Sequence, residues 1–377
     1  MNVLSPLLGF GAAFVRDVFP FFLMITPVIF FHELGHFTFA RLFGVRVETF
    51  SIGFGPAIVS WMDRKGTKWK ISWIPLGGYV KFFGDLDAAS TPDRDAAENM
   101  TAQERAVAFP FKPLYQRALI VAAGPLANFV LTIGILTAFL WASGAVVSPA
   151  RVSAIIPGSA AQAAGFHVGD VIVNIDGRQI STIDDVIATV GMRPGELLSV
   201  TIERGGRELL LHARPQLTRF KDQFGEIEEV GQLGLYGGKP EWVHYGPIGA
   251  LEEASHTTWL IVQTTLDMPL RMFSSSSAVT QLHGPLGIAK ISAQVAQISL
   301  LSLIKLAALI SVSIGLVNLF PIPLLDGGHL LYYGFEAVLG RPLGARAQDV
   351  GFRLGLAVML GLMLLATWND LVRLKLF

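Results

Sequence analysis

Four long apolar runs set the pattern of the chain, each near the ~20 residues that take an α-helix across a hydrocarbon layer. They fall at about 18–42, 118–147, 303–323 and 354–370, and Pro321-Ile322-Pro323 closes the third. Elsewhere the period shortens to that of strands. Residues 45–55 alternate apolar and polar positions directly after the first run, and 68–75 offer them a partner strand. A second alternating region follows the second run. There Asp170 to Ile175 reads as a strand closed by Asp176-Gly177, and Ser199 to Leu211 as a hairpin around Gly205-Gly206. Between them, Ile183 to Val190 has helical spacing. Pro247 to Phe273 carries an apolar stripe, but Glu252, Glu253, His256 and Asp267 make it too polar for a span. It fits an amphipathic helix on a membrane surface. Asp85 to Arg105 and Ser274 to Ser277 read as a mobile loop and a flexible joint.

Composition changes the picture only by strengthening it. Hydrophobic residues make up 52% of the 377 and charged residues 15%, against about 25% charged in a typical soluble domain. Mean hydropathy is +0.52. A net charge of +0 gives no footprint for a nucleic-acid partner, and the absence of cysteine removes disulfides and thiolate metal ligands together. Arg16 and Asp17 interrupt the first apolar stretch, so the N-terminus reads as a retained span and not a cleavable signal. Basic residues crowd the segment between the first two spans, from Arg41 to Arg117, and Arg341 and Arg346 lie between the last two. The positive-inside rule then places both segments in the cytoplasm and the long middle region outside. The chain divides into an N-terminal membrane part (1–147), an extracytoplasmic domain (148–237), an amphipathic linker (238–300) and a C-terminal membrane part (301–377).

The candidate chemistry sits at the cytoplasmic end of the first span, in His32-Glu33-Leu34-Gly35-His36. Residues four apart share a helix face, so His32 and His36 can offer two imidazoles to one metal ion, with Glu33 in reach of a water beside it. Ionisable residues at membrane depth are costly and mark function. A catalytic zinc takes three protein ligands, and the best remaining candidate is Asp326, in the broken segment Asn318 to His329. Prolines interrupt the helix there and glycines let the backbone bend. This topology puts Asp326 at the same membrane face as the motif. His329 is read as structural. His167, His212, His244, His256 and His283 fall in the extracytoplasmic part and read as ordinary surface or core residues.

These segments resemble the site-2 protease family of intramembrane zinc metalloproteases, in its bacterial RseP-like branch with a single PDZ domain. The resemblance rests, in chain order, on the histidine motif, on Ile74 to Val80, on Gly124-Pro125-Leu126-Ala127-Asn128, on Gly284 to Ile288 and on Asn318 to Gly328. It implies Zn2+ on His32, His36 and Asp326, with Glu33 as general base. Asn128 and Asn318 match positions whose amides hold substrate or steady an oxyanion, although interhelical hydrogen bonding would also account for buried amides. Pro157 to Ala160, Ala164-Gly165 and Gly169-Asp170 resemble a PDZ domain, with Gly231 to Leu235 as its late carboxylate-binding loop. That domain either captures a peptide terminus by strand addition or only shields the site.

The expected fold is thus a polytopic α-helical membrane protein of about four transmembrane helices. It has an inserted extracytoplasmic β-rich PDZ-like domain and a membrane-associated β-sheet after the first helix, whose edge clamps an unwound substrate. The implied setting is a bacterial inner membrane, with the site towards the cytoplasm. The implied partners are the lipid bilayer and single-span membrane proteins already trimmed by a site-1 protease, such as anti-sigma factors or remnant signal peptides. A non-catalytic scaffold would lack a ligand or the base, and a transporter would show repeated halves; neither pattern is present.

Overall fold

The computed structural model describes residues 16–85, 100–221, 227–272 and 284–373. Most of the expected loop after Asp85, the Ser274–Ser277 joint and His283 lie outside the described residues. The chain forms two units: 1–136 with 282–377, and 137–281.

The first unit opens with α1 (Phe19–Leu42), which starts on Pro20, where a missing N–H costs nothing, and stops before Gly44 at φ +67°. Strands β1 (Val47–Met62) and β2 (Lys68–Phe82) follow, longer than alternation alone indicates. Bulges bend both, so Phe50 pairs with Val80 and also with Trp69, while Trp61 pairs with Trp69 further along. Phe50 is fully buried and stacks on Trp69 with centroids 4.3 Å apart, fixing the sheet against α1 through Phe30 and Phe37. A short helix α2 (Ala102–Val107) begins on a capping box between Thr101 and Glu104. Helix α3 (Leu114–Ser143) starts and ends about four residues earlier than the apolar run suggests. Its end is set by Gly144, at φ +66°, after which Ala145–Val147 turns into strand.

The second unit is β-rich. After β3 (Ala145–Val147) and β4 (Ala154–Ile155) come α4 (Ala160–Ala163), β5 (Val171–Ile175), β6 (Arg178–Gln179) and α5 (Ile183–Gly191). Strands β7 (Leu198–Arg204), β8 (Arg207–Ala213), β9 (Gln216–Lys221), β10 (Ile227–Gln232), β11 (Leu235–Tyr236) and β12 (Glu241–Val243) complete it, followed by α6 (Pro247–Met272). A four-stranded sheet in the order β6-β5-β7-β8 carries the core, where Ile172, Ile175, Val200 and Ile202 are fully buried. The hairpin turns at Gly205-Gly206, and α5 is capped by Thr182, whose hydroxyl accepts from the Asp185 N–H. Helix α6 occupies the stretch expected to be amphipathic.

The chain then returns to the first unit with α7 (Pro285–Ile298), α8 (Leu300–Asn318), α9 (Asp326–Leu339) and α10 (Ala345–Arg373). Two of these lie outside the four apolar runs. α7 occupies part of the stretch read as a linker, starting on Pro285 after an extended Gly284. Segment 326–339, beyond the end of the third apolar run, is a helix that Asp326 begins and Gly340 ends at φ +67°. Two signs of that helix stand in the sequence: an acidic first residue and a glycine stop. Phe21, Met24, Ile25 and Leu303 knit α1, α7 and α8 together. Helices at 19–42, 114–143, 300–318 and 346–372 are each long and apolar enough to cross a membrane.

Candidate metal centre

Two helices must nearly touch for the motif on α1 to meet anything. They do so through glycine. A methyl group added to Gly35 would fall 2.2 Å from the Ala123 carbonyl oxygen, and one added to Gly124 would fall 2.1 Å from His36 Nε2. Only a residue without a side chain lets α1 and α3 approach this closely. That contact brings the Ile120 carbonyl within 2.9 Å of His36 Nδ1. A carbonyl only accepts, so Nδ1 carries the proton and Nε2 presents a bare lone pair.

Asp326 arrives from the other end of the chain. α8 stops at Asn318, prolines at 321 and 323 forbid its continuation, and the chain turns through Leu324 at φ +90° before α9 begins. A branched residue in the left-handed region stores of order 1–3 kcal/mol of strain, a cost found where function requires it. The Asp326 carboxylate lies 3.2 Å from His32 Nε2 and 3.5 Å from His36 Nε2, and the two imidazole nitrogens are 3.3 Å apart. One donor atom from each residue falls within 4.8 Å of the others. Lone pairs crowded this way repel unless a cation sits among them. The set is nitrogen and oxygen alone, two imidazoles and a carboxylate, which suits zinc with a position left open. The residues present fit a catalytic zinc.

Glu33 faces the sheet. A methyl group on Gly78 would fall 3.0 Å from Glu33 Cγ, and Val80 lines the same cavity as Glu33. His32, Glu33, His36 and Asp326 line one cavity of about 310 Å3 with Gly77, Gly78, Tyr79, Val80, Asn318 and His329. Of the two amides expected at substrate, Asn318 lines this cavity, with Nδ2 3.4 Å from His32 Nε2. Asn128 is not among the lining residues; it is fully buried behind His32, with Nδ2 3.2 Å from His32 Nδ1. His329 was read as structural but borders the cavity, one helical turn after Asp326. That i, i+3 spacing could have flagged it once 326–339 was seen as a helix. His167, His212, His244 and His256 belong to the β-rich unit.

Comparison with known proteins covers most of the chain. Peptidase family M50 matches residues 20–362 of the chain. A relative from Agrobacterium fabrum, named as a zinc metalloprotease, is 43% identical over 375 residues, covering 98% of this chain and 99% of its own length. Metalloprotease MmpA of Caulobacter vibrioides is 40% identical over 379 residues, covering 94% of this chain and 95% of its own length. The PDZ domain of an SdrC-like protein from Listeria monocytogenes aligns with 24% of this chain and 85% of its own length, at 17% identity and a TM-score of 0.19, too low to decide a fold.

Proposed function

The chain belongs to peptidase family M50 and is a membrane-associated zinc metalloprotease, and from that premise we propose that it cuts peptide bonds within or near the transmembrane segments of single-span proteins. One observation carries this reading. A candidate spanning helix, a strand edge and a broken helix bring two imidazoles, two carboxylates and an amide to one cavity.

In this reading His32, His36 and Asp326 hold the zinc. When bound, zinc supplies Lewis-acid polarisation of a carbonyl and lowers the pKa of a coordinated water to ~7. The remaining work falls to the chain. Glu33, packed against Gly78 of the sheet, takes a proton from water and returns it to the departing amine. A helical substrate hides its carbonyls in i to i−4 bonds, so it must unwind. Residues Gly77 to Val80, lining the cavity at one side of the bent sheet, offer backbone groups to the extended segment by strand addition. The Asn318 amide, 3.4 Å from His32, steadies the substrate backbone or the developing oxyanion.

The finer placement extends the same reading. The setting is a bacterial inner membrane, with the centre towards the cytoplasm and residues 148–237 outside it. Substrates arrive trimmed by a site-1 protease. Residues 148–237 act as a PDZ-like filter or tail sensor. Gly231 lies in β10 and Leu235 in β11, so strand occupies part of the loop expected there; Gly231 packs on the C-terminal end of α5, where a methyl group would meet the Val190 carbonyl oxygen at 2.5 Å.

The test is cleavage of a tagged single-span substrate by purified protein in detergent, with Glu33→Gln as the comparison. Loss of the base costs about 10²–10⁴-fold in rate while zinc content stays at the wild-type level. Equal cleavage by both proteins would remove Glu33 from the mechanism.

A further inference from the structure

Asn128 stands out among the polar residues near the centre because it does not face the cavity. Its side chain is 0% exposed, so no substrate reaches it without a rearrangement of α3. Its backbone carbonyl accepts from the Ser311 hydroxyl at 3.0 Å, and the single Thr132 hydroxyl proton is shared between that carbonyl at 3.0 Å and the Ala308 carbonyl at 2.9 Å. A methyl group at Gly315 would fall 3.0 Å from Asn128 Cβ. The residue is clamped between α3 and α8 with its amide 3.2 Å from His32 Nδ1.

The orientation of that amide has a chemical consequence. With Nδ2 towards His32, the amide donates to Nδ1, the imidazole proton moves to Nε2, and that proton points at Asp326 and His36. That tautomer leaves Nε2 without a lone pair to offer a metal ion. Turning the amide by 180° keeps its shape and places Oδ1 on Nδ1. Oδ1 then accepts from Nδ1–H, and His32 Nε2 becomes a bare lone pair. His36 already has this arrangement, its Nδ1–H held by the Ile120 carbonyl at 2.9 Å.

We propose that Asn128 is a positioning residue for the metal centre: its side-chain oxygen holds His32 Nδ1–H and so turns Nε2 towards the zinc. The role differs from the substrate contact expected of it. It matches a general property of metal sites, in which a histidine ligand donates its other N–H to an oxygen that fixes tautomer and ring orientation. The inference rests on the reading of His32 as a zinc ligand.

The experiment measures zinc affinity of the full chain in detergent, by competition with a chromophoric chelator, for wild type, Asn128→Leu, Asn128→Ala, Asn128→Asp and Asn318→Ala. Asn128→Leu keeps the volume and removes the acceptor; it and Asn128→Ala weaken zinc binding about 10–100-fold. Asn128→Asp restores an acceptor oxygen and holds zinc as tightly as wild type. Asn318→Ala leaves zinc affinity unchanged and lowers only cleavage. Should Asn128→Ala fail to fold, the leucine and aspartate variants carry the comparison. Wild-type affinity in Asn128→Leu, or affinity in Asn128→Asp as weak as in Asn128→Leu, overturns the proposal and returns Asn128 to substrate. A wild-type protein that takes up no zinc defeats the catalytic reading itself, and this inference with it.

Discussion

Both units of this protein bury apolar residues, and they differ in the polar ones buried beside them. The β-rich unit hides Ile172, Ile175, Val200 and Ile202 at zero exposure, in an ordinary apolar core. In the helical unit Phe50, Ile120 and Val312 are fully buried too, but so are Asn128, Thr132, Ser292 and Ser311, while Val130 is 71% and Leu364 is 68% exposed. Close interhelical contacts run through Gly35, Gly124 and Gly315. The difference follows from the solvent each was built for. In water, removing apolar surface drives packing. Where the surroundings are as apolar as leucine, helices associate through small residues and hydrogen bonds, and apolar side chains turn outward. An active centre fits the second regime well, since polar residues converge there without displacing a hydrophobic core.

The largest test of this contrast is Gly124→Ala. The added methyl lies 2.1 Å from His36 Nε2, so His36 must move; zinc affinity and cleavage fall by more than ~100-fold. Gly134→Ala on the same helix meets nothing within 4 Å and stabilises by up to about 1 kcal/mol through helix propensity. Zinc retained in Gly124→Ala would end the close-approach account.

In the β-rich unit the matching experiment is Ile202→Ala, which leaves a cavity and costs about 4 kcal/mol. Hydrogen exchange reports the loss as faster opening of β5 and β7, with zinc affinity unchanged. If zinc affinity fell with it, the two units would not be energetically separate.

Arg117→Met probes how the short helix bearing Asp326 is held. Arg117 meets Glu336 at 2.5 Å with side chains only 14% and 16% exposed, and its guanidinium lies 4.9 Å over the Tyr333 ring. Removing the cation leaves a mostly buried carboxylate and costs about 3 kcal/mol. Thermal unfolding in detergent measures it, and the exchanged pair Arg117→Glu with Glu336→Arg recovers part of the loss. A variant as stable as wild type would show that the ion pair does not hold α9.

The smallest effect concerns pH. Burial pushes the Asp170 carboxyl up, but the two hydrogen bonds from Arg204 and one from the His167 N–H outweigh it, so the net shift is downward. A lowered folded-state pKa contributes stability that is complete above the ordinary carboxylate value of about 3.9 and lost as pH falls through the folded value. Arg204→Met therefore destabilises the β-rich unit by about 1–2 kcal/mol near neutral pH. It also flattens the loss of stability below about pH 4. Proteolysis of the unit against pH follows both, and equal pH profiles for the two proteins would remove the ion pair from the account.

Much of the architecture could be read from pattern. The apolar runs marked helices long enough to span, and the hairpin at Gly205-Gly206 and helix α5 follow from turn residues and spacing. What escaped was local in length and mixed in signal. α9 lies in a stretch where two prolines argue against helix, and only its N-terminal aspartate and C-terminal glycine speak for it. β1 and β2 extend beyond the alternating segments because bulges let the chain break period while staying paired.

The spacing of His32 and His36 is a property of the helix alone: four residues on a 3.6-residue turn put both rings on one face wherever that helix sits. The choice of candidate chemistry, zinc on nitrogen and oxygen with a carboxylate base alongside, was therefore complete in the sequence. Tertiary structure decided what no spacing encodes. It brought the Ile120 carbonyl to His36 Nδ1 and the Asn128 amide to His32 Nδ1. It also placed Glu33 beside Gly78 of the sheet and put Asn128 outside the cavity lining with Asn318 on it. Those are contacts between helices and strands far apart in sequence, fixed by how closely glycines let backbones approach, and the order of residues along one chain does not record that distance.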